Sequence, residues 1–87
     1  MNGDARLRFA KGVKLRRESE GDDMLLVPEG ALVLNPSAAA ALDLVDGQRT
    51  FSQIVDAIVE RFEVAPDVAR ADVGALFERL AERGFLR

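Results

Sequence analysis

Apolar residues follow two rhythms along this chain. Before residue 35 they come in short runs. Val13 and Leu15 alternate with Lys14 and Arg16, and Met24–Val27 and Ala31–Leu34 are apolar stretches on either side of Pro28-Glu29-Gly30. Alternation with period two marks a strand with one wet face, and a short unbroken run bounded by turn residues marks a strand covered on more than one face. Pro sets the backbone angle of the first central turn position and Gly, further along, supplies a left-handed or otherwise open position, so the two runs form a hairpin. Glu20-Gly21-Asp22-Asp23 is the turn before it. The connections are too short for crossovers, which makes the sheet antiparallel in the order one-two-three. Residues 1–11 read as a flexible basic arm, leaving residues 12–87 as a single domain.

From residue 36 the spacing becomes helical. Asn35-Pro36 supplies an N-cap followed by the residue favoured at the first helical position, so the first helix starts at Asn35 or Ser37. The first helix then carries Ala38 to Leu42 and Val45 and stops at Asp46-Gly47, with Gly47 as the left-handed residue. Thr50-Phe51-Ser52-Gln53 has the spacing of a capping box. Behind it Phe51, Ile54, Val55, Ile58, Val59 and Phe62 form one apolar stripe. Val64-Ala65-Pro66 breaks the chain. A third helix from Pro66 to Arg83 aligns Ala69, Val73, Leu76, Phe77 and Leu80. Gly84 ends it and Phe85 folds back onto Leu80 in a Schellman motif. Gly74, mid-helix, costs up to ~1 kcal/mol relative to Ala, which marks either close approach by another backbone or mere drift. The fold class is α+β: a three-stranded antiparallel sheet followed by three helices, with a winged helix-turn-helix shape.

Composition narrows the chemistry. The 87 residues include no Cys and no His, which rules out disulfides, zinc sites built on those ligands and His-based catalysis within the chain. The serines lack a base, and no glycine-rich loop precedes a helix to cradle phosphate. The carboxylate pairs Asp22/Asp23, Asp43/Asp46 and Glu78/Glu82 read as turn residues and solvated helix faces. No catalytic role and no cofactor are expected. No apolar run is long enough to span a bilayer, and the N-terminus lacks the apolar segment of a signal peptide, so the expectation is a cytoplasmic protein with no membrane contact. Residues 1–17 carry six basic residues against Asp4, and the remainder carries 14 acids against six bases. Such an arm helps solubility, or docks on an acidic surface of a partner or of a second copy, giving a weak homodimer. The second and third helices lack clustered Lys and Arg, so nucleic acid is not the expected partner, although the winged shape keeps a DNA-binding regulator as the rival reading. The third strand, fixed between a tight turn and a helix start, can offer its backbone edge to another peptide.

Read in order, Val27-Pro28-Glu29-Gly30, Leu34-Asn35, Leu42 and Leu44, Asp46-Gly47, the Thr50 helix with Ile54 and Ile58, Asp72-Val73 and Glu82-Arg83-Gly84-Phe85-Leu86 resemble the PqqD proteins of pyrroloquinoline quinone (PQQ) biosynthesis. Val45 stands where that family frequently has Cys, and Phe85 where it frequently has Trp; both changes keep an apolar side chain. The resemblance implies a non-catalytic peptide chaperone. It would bind the precursor peptide PqqA and present it to the radical SAM enzyme PqqE, which cross-links a Glu and a Tyr of the peptide. The same domain recurs as the leader-recognition element of other peptide-modifying systems, which is the alternative within the binding class. Residues 12–87 are then one peptide-recognition domain. Carried over from the family, the peptide adds as a strand beside Ala31, Leu32, Val33 and Leu34 and over Val73, Leu76, Phe77 and Leu80.

Overall fold

The computed structural model describes all 87 residues, Met1–Arg87. Three strands, β1 (Lys14–Arg16), β2 (Asp23–Val27) and β3 (Gly30–Leu34), precede three helices, α1 (Pro36–Asp43), α2 (Phe51–Phe62) and α3 (Pro66–Glu82). The sheet is antiparallel in the order β1-β2-β3, as the short connections require. Val27 pairs with Gly30, so Pro28 and Glu29 alone form the hairpin loop. Gly30 takes a φ of 156°, a setting open to glycine, and thereby starts β3 one residue earlier than the apolar run suggests. β3 is an edge strand, and so is β1.

The helix ends follow local chemistry. Asn35 Oδ1 accepts the Ala38 amide at 2.8 Å. At α2, Thr50 Oγ1 accepts the Gln53 amide while Gln53 Oε1 accepts the Thr50 amide, a complete capping box. Glu63, at a φ of 53°, closes α2. α3 ends in the expected Schellman pair: the Phe85 amide donates to Leu80 O and the Gly84 amide to Ala81 O. α1 is shorter than its periodicity suggests. It stops at Asp43 with Leu44 as C-cap, because Asp46 builds a turn of its own. Asp46 Oδ1 accepts the amides of Gln48 and Arg49. Those amides, Arg49 first and Gln48 second, hold the exposed Asp46 carboxyl below its ordinary pKa. Gly47 is left-handed, but its amide donates to Leu7 O instead of capping α1.

One core joins all layers, with Leu25 from β2, Leu42 from α1, Phe51 and Ile54 from α2 and Phe77 from α3 fully buried. Phe51 and Phe77 meet edge to face with ring centroids 6.0 Å apart. Gly74 lies beside them and needs a different account from the sequence-based one. No backbone from another element approaches it; a Cβ there would meet Phe51 Cζ at 3.5 Å, an ordinary contact. Gly74→Ala is therefore expected to raise stability by about 0.5–1 kcal/mol through helix propensity. The denaturant midpoint checks this, and an unchanged or lower midpoint would mean that Phe51 cannot give way.

Residues 1–11 depart from the expected flexible arm. The backbone is paired at the far end of the domain, with Arg8 and Arg87 exchanging hydrogen bonds of 3.0 and 2.9 Å and Ala10 donating to Phe85 O. Gly47, Phe51 and Ser52 donate to Leu7, Ala5 and Gly3. Isolated bridges join Arg6 to Thr50 and Phe9 to Leu86. Leu7 and Phe9 pack on the core while Arg6 and Arg8 stay exposed. The arm is thus docked by backbone pairing and apolar contact, with the one ion pair of this segment joining the N-terminal ammonium to Glu78 at 2.8 Å.

Candidate functional site

The two sheet edges differ in character. β1 presents the exposed side chains Lys14 and Arg16, the kind of charge that blunts an edge against further pairing. β3 has no charged residue and carries Val33, 64 % exposed. Within β3, Leu32 and Leu34 turn towards the core while Ala31 and Val33 turn out, as alternation in a strand requires.

A cleft of about 280 Å³ runs between this edge and α3. The strand contributes Leu32, Val33 and Leu34, the helix contributes Leu76, Arg79 and Leu80, and its C-cap residue Arg83 completes the wall. A second cleft of about 510 Å³ adjoins it, sharing Leu76 and Arg79. Its walls include Asn35 at the start of α1, Ile58 and Phe62 of α2, and Val64, Val68 and Asp72. The large exposed apolar side chains of the chain are Val33, Val64 and Val68, and all three line these clefts. Their gathering in two adjoining clefts makes this face the candidate site for a partner.

The predicted contact residues divide on the structure. Ala31 and Val33 are open, Leu32 and Leu76 are half-buried, and Leu34, Val73 and Leu80 are buried but reach a cleft wall. Phe77 is corrected: it is fully buried against Phe51 and lines neither cleft. On a 3.6-residue repeat, Phe77 falls at the core margin of the apolar stripe and Leu76 at the opposite margin. Sequence reasoning missed Arg79 and Arg83, which share the Leu76 margin, and missed Val64 and Val68, which it passed over in the break and first turn of α3. The signal for Arg79 and Arg83 was position beside the stripe; Val64, before α3, gave none.

Both clefts are lined mainly by apolar side chains. No cluster of three or more His, Cys, Asp or Glu side chains is placed to hold a metal ion, and no helix is long and apolar enough to cross a membrane. Asp46, the carboxylate with a shifted pKa, lines neither cleft.

The profile of the family described as Coenzyme PQQ synthesis protein D (PqqD) matches residues 24–86. The chain is 35% identical over 80 residues to the bifunctional coenzyme PQQ synthesis protein C/D of Methylorubrum extorquens, covering 91% of this chain and 22% of that protein. It is 43% identical over 61 residues to the PqqA binding protein of Rahnella aquatilis, covering 69% of this chain and 64% of the relative. Among solved structures it is similar to the PqqD truncation of Methylobacterium extorquens PqqCD, described as a functional, stand-alone recognition element for ribosomally synthesized and post-translationally modified peptides. That match has a TM-score of 0.82 and 32% identity, and covers 99% of this chain and 93% of the other. With the profile spanning most of its length and the three-strand, three-helix fold in common with a solved member, this chain belongs to the PqqD family.

Proposed function

We propose that this protein is a non-catalytic peptide chaperone of PQQ biosynthesis, which binds the precursor peptide PqqA by strand addition at β3 and presents it to the radical SAM enzyme PqqE. The observation that carries the reading is the coincidence of an uncharged sheet edge with the exposed apolar side chains of the chain, all of which line the two adjoining clefts that α3 borders. An added strand would gain main-chain hydrogen bonds from β3 and pockets for alternate side chains from α3. The relatives, a PqqA binding protein and a peptide recognition element, support the same reading.

The test is titration of the 15N-labelled protein with synthetic PqqA. Saturable binding is expected, with amide shifts concentrated in residues 30–34 and 76–83, and retention of PqqE on the immobilised protein should rise when PqqA is present. Shifts confined to other surfaces, or no binding at millimolar peptide, would sink the reading. Tight, salt-sensitive binding of duplex DNA in a parallel titration would favour the rival regulator instead.

A further inference from the structure

The cleft beside β3 carries a charge that its surroundings do not. The chain has 15 acidic residues against 12 basic ones, yet the polar side chains lining this cleft are Arg79 and Arg83, with no acid among them. Both arginines are exposed, and neither has a carboxylate within ion-pair distance. Glu78 and Glu82, the neighbouring acids of α3, lie outside the cleft, and Glu78 is engaged by the N-terminal ammonium. The Arg83 guanidinium carbon sits 5.4 Å from the centre of the Phe85 ring, which restrains the side chain. Two free guanidinium groups on the rim of an apolar cleft are donors awaiting acceptors.

Their spacing fits a strand. Four residues along a helix advance roughly 6 Å, and side chains two apart on an extended peptide, facing the same side, lie about 6.6–6.8 Å apart. We propose that Arg79 and Arg83 are specificity residues that read two acidic side chains spaced i, i+2 in the peptide added beside β3. This rests on the strand-addition reading above. Leu76 and Leu80 supply the apolar floor on the same helix face, so the preferred ligand is an extended segment with both apolar and acidic residues. An apolar cleft alone would accept many hydrophobic strands, and the arginines would reject those without matched carboxylates.

The experiment uses the full chain and the PqqA peptide of Rahnella aquatilis, with each Asp and Glu of the peptide changed in turn to Asn or Gln. Affinity for the native peptide should fall at least tenfold in an Arg79→Glu/Arg83→Glu variant, and fall with rising salt in the unaltered protein. Two amide peptides, altered at positions two apart, should bind the unaltered protein several-fold more weakly and lose no further affinity in Arg79→Gln/Arg83→Gln. Thermal melts of the variants confirm that these exposed sites leave the fold in place. Binding by the charge-reversed variant within twofold of the original overturns the proposal. So does an equal loss for native and amide peptides, sensitivity to one carboxylate only, or a sensitive pair at another spacing. Those outcomes leave strand addition standing, whereas no binding of PqqA by the unaltered protein overturns the strand-addition reading and this one with it.

Discussion

Val33→Pro is expected to lower affinity for PqqA at least tenfold in a protein that remains folded. The effect turns on hydrogen-bond direction. In an antiparallel ladder, residues that exchange bonds with the partner strand alternate with residues whose N–H and C=O point away. Val27 and Gly30 close a two-residue hairpin loop as a bonded pair, so Leu32 and Leu34 bond to β2 while Ala31 and Val33 point outwards. Proline at Val33 therefore removes a donor that β2 does not use, an arrangement in which an edge strand tolerates it. A peptide strand added at β3 would use that donor, and would also meet a locally bent edge. Leu32→Pro is the contrast, since it deletes a bond to β2 and should cost stability outright. Calorimetric titration beside circular dichroism separates the two effects. A folded Val33→Pro protein with unaltered peptide affinity would remove β3 from the binding site.

Much of this fold is legible because its decisive chemistry is local. The Thr50–Gln53 capping box, the Asn35 cap and the Gly84–Phe85 Schellman closure each involve residues within five positions of one another. The Pro28-Glu29 turn fixes the register of β2 against β3 in the same way. Features set by distant partners were harder to read. Met1, Ala5, Leu7 and Phe9 do alternate with polar residues, but the small Gly3 and Ala5 dilute the pattern, and the partners of this segment lie at residues 47–52 and 85–87. The end of α1 was hidden because Val45 continues the apolar spacing while the Asp46 side chain captures the next two free amides.

The candidate site shows the same division. β3 could be recognised as an edge from chain order alone, and its lack of charge is visible in the residues. The helix face could not be apportioned, because apolar periodicity says that a stripe is covered without saying by what. Leu76 and Phe77 are neighbours in sequence and both apolar, yet packing assigns one to the cleft and the other to the core. That assignment comes from Phe51, 26 residues away from Phe77, whose ring fills the space on that side.

That division predicts opposite outcomes for two adjacent truncations. Phe77→Ala should cost about 3–5 kcal/mol, since it empties a fully buried position and removes the edge-to-face contact with Phe51. A small domain has a total stability of roughly 5–10 kcal/mol, so the variant should melt far below the original and be partly unfolded at modest denaturant. Its peptide binding should fall only in proportion to the unfolded fraction. Leu76→Ala should do the reverse. Leu76 is half-buried and belongs to both clefts, so truncation leaves a groove that solvent can fill and not a closed cavity. Its stability cost should stay near 1 kcal/mol, while the loss of a central apolar contact in the groove should weaken PqqA binding tenfold or more. Denaturant melts and titrations on both variants, with Val73→Ala and Leu80→Ala expected to lose stability and some affinity together, give the check. A Leu76→Ala protein that loses stability like Phe77→Ala, and binds as well as its folded fraction allows, would show that this face of α3 is core throughout.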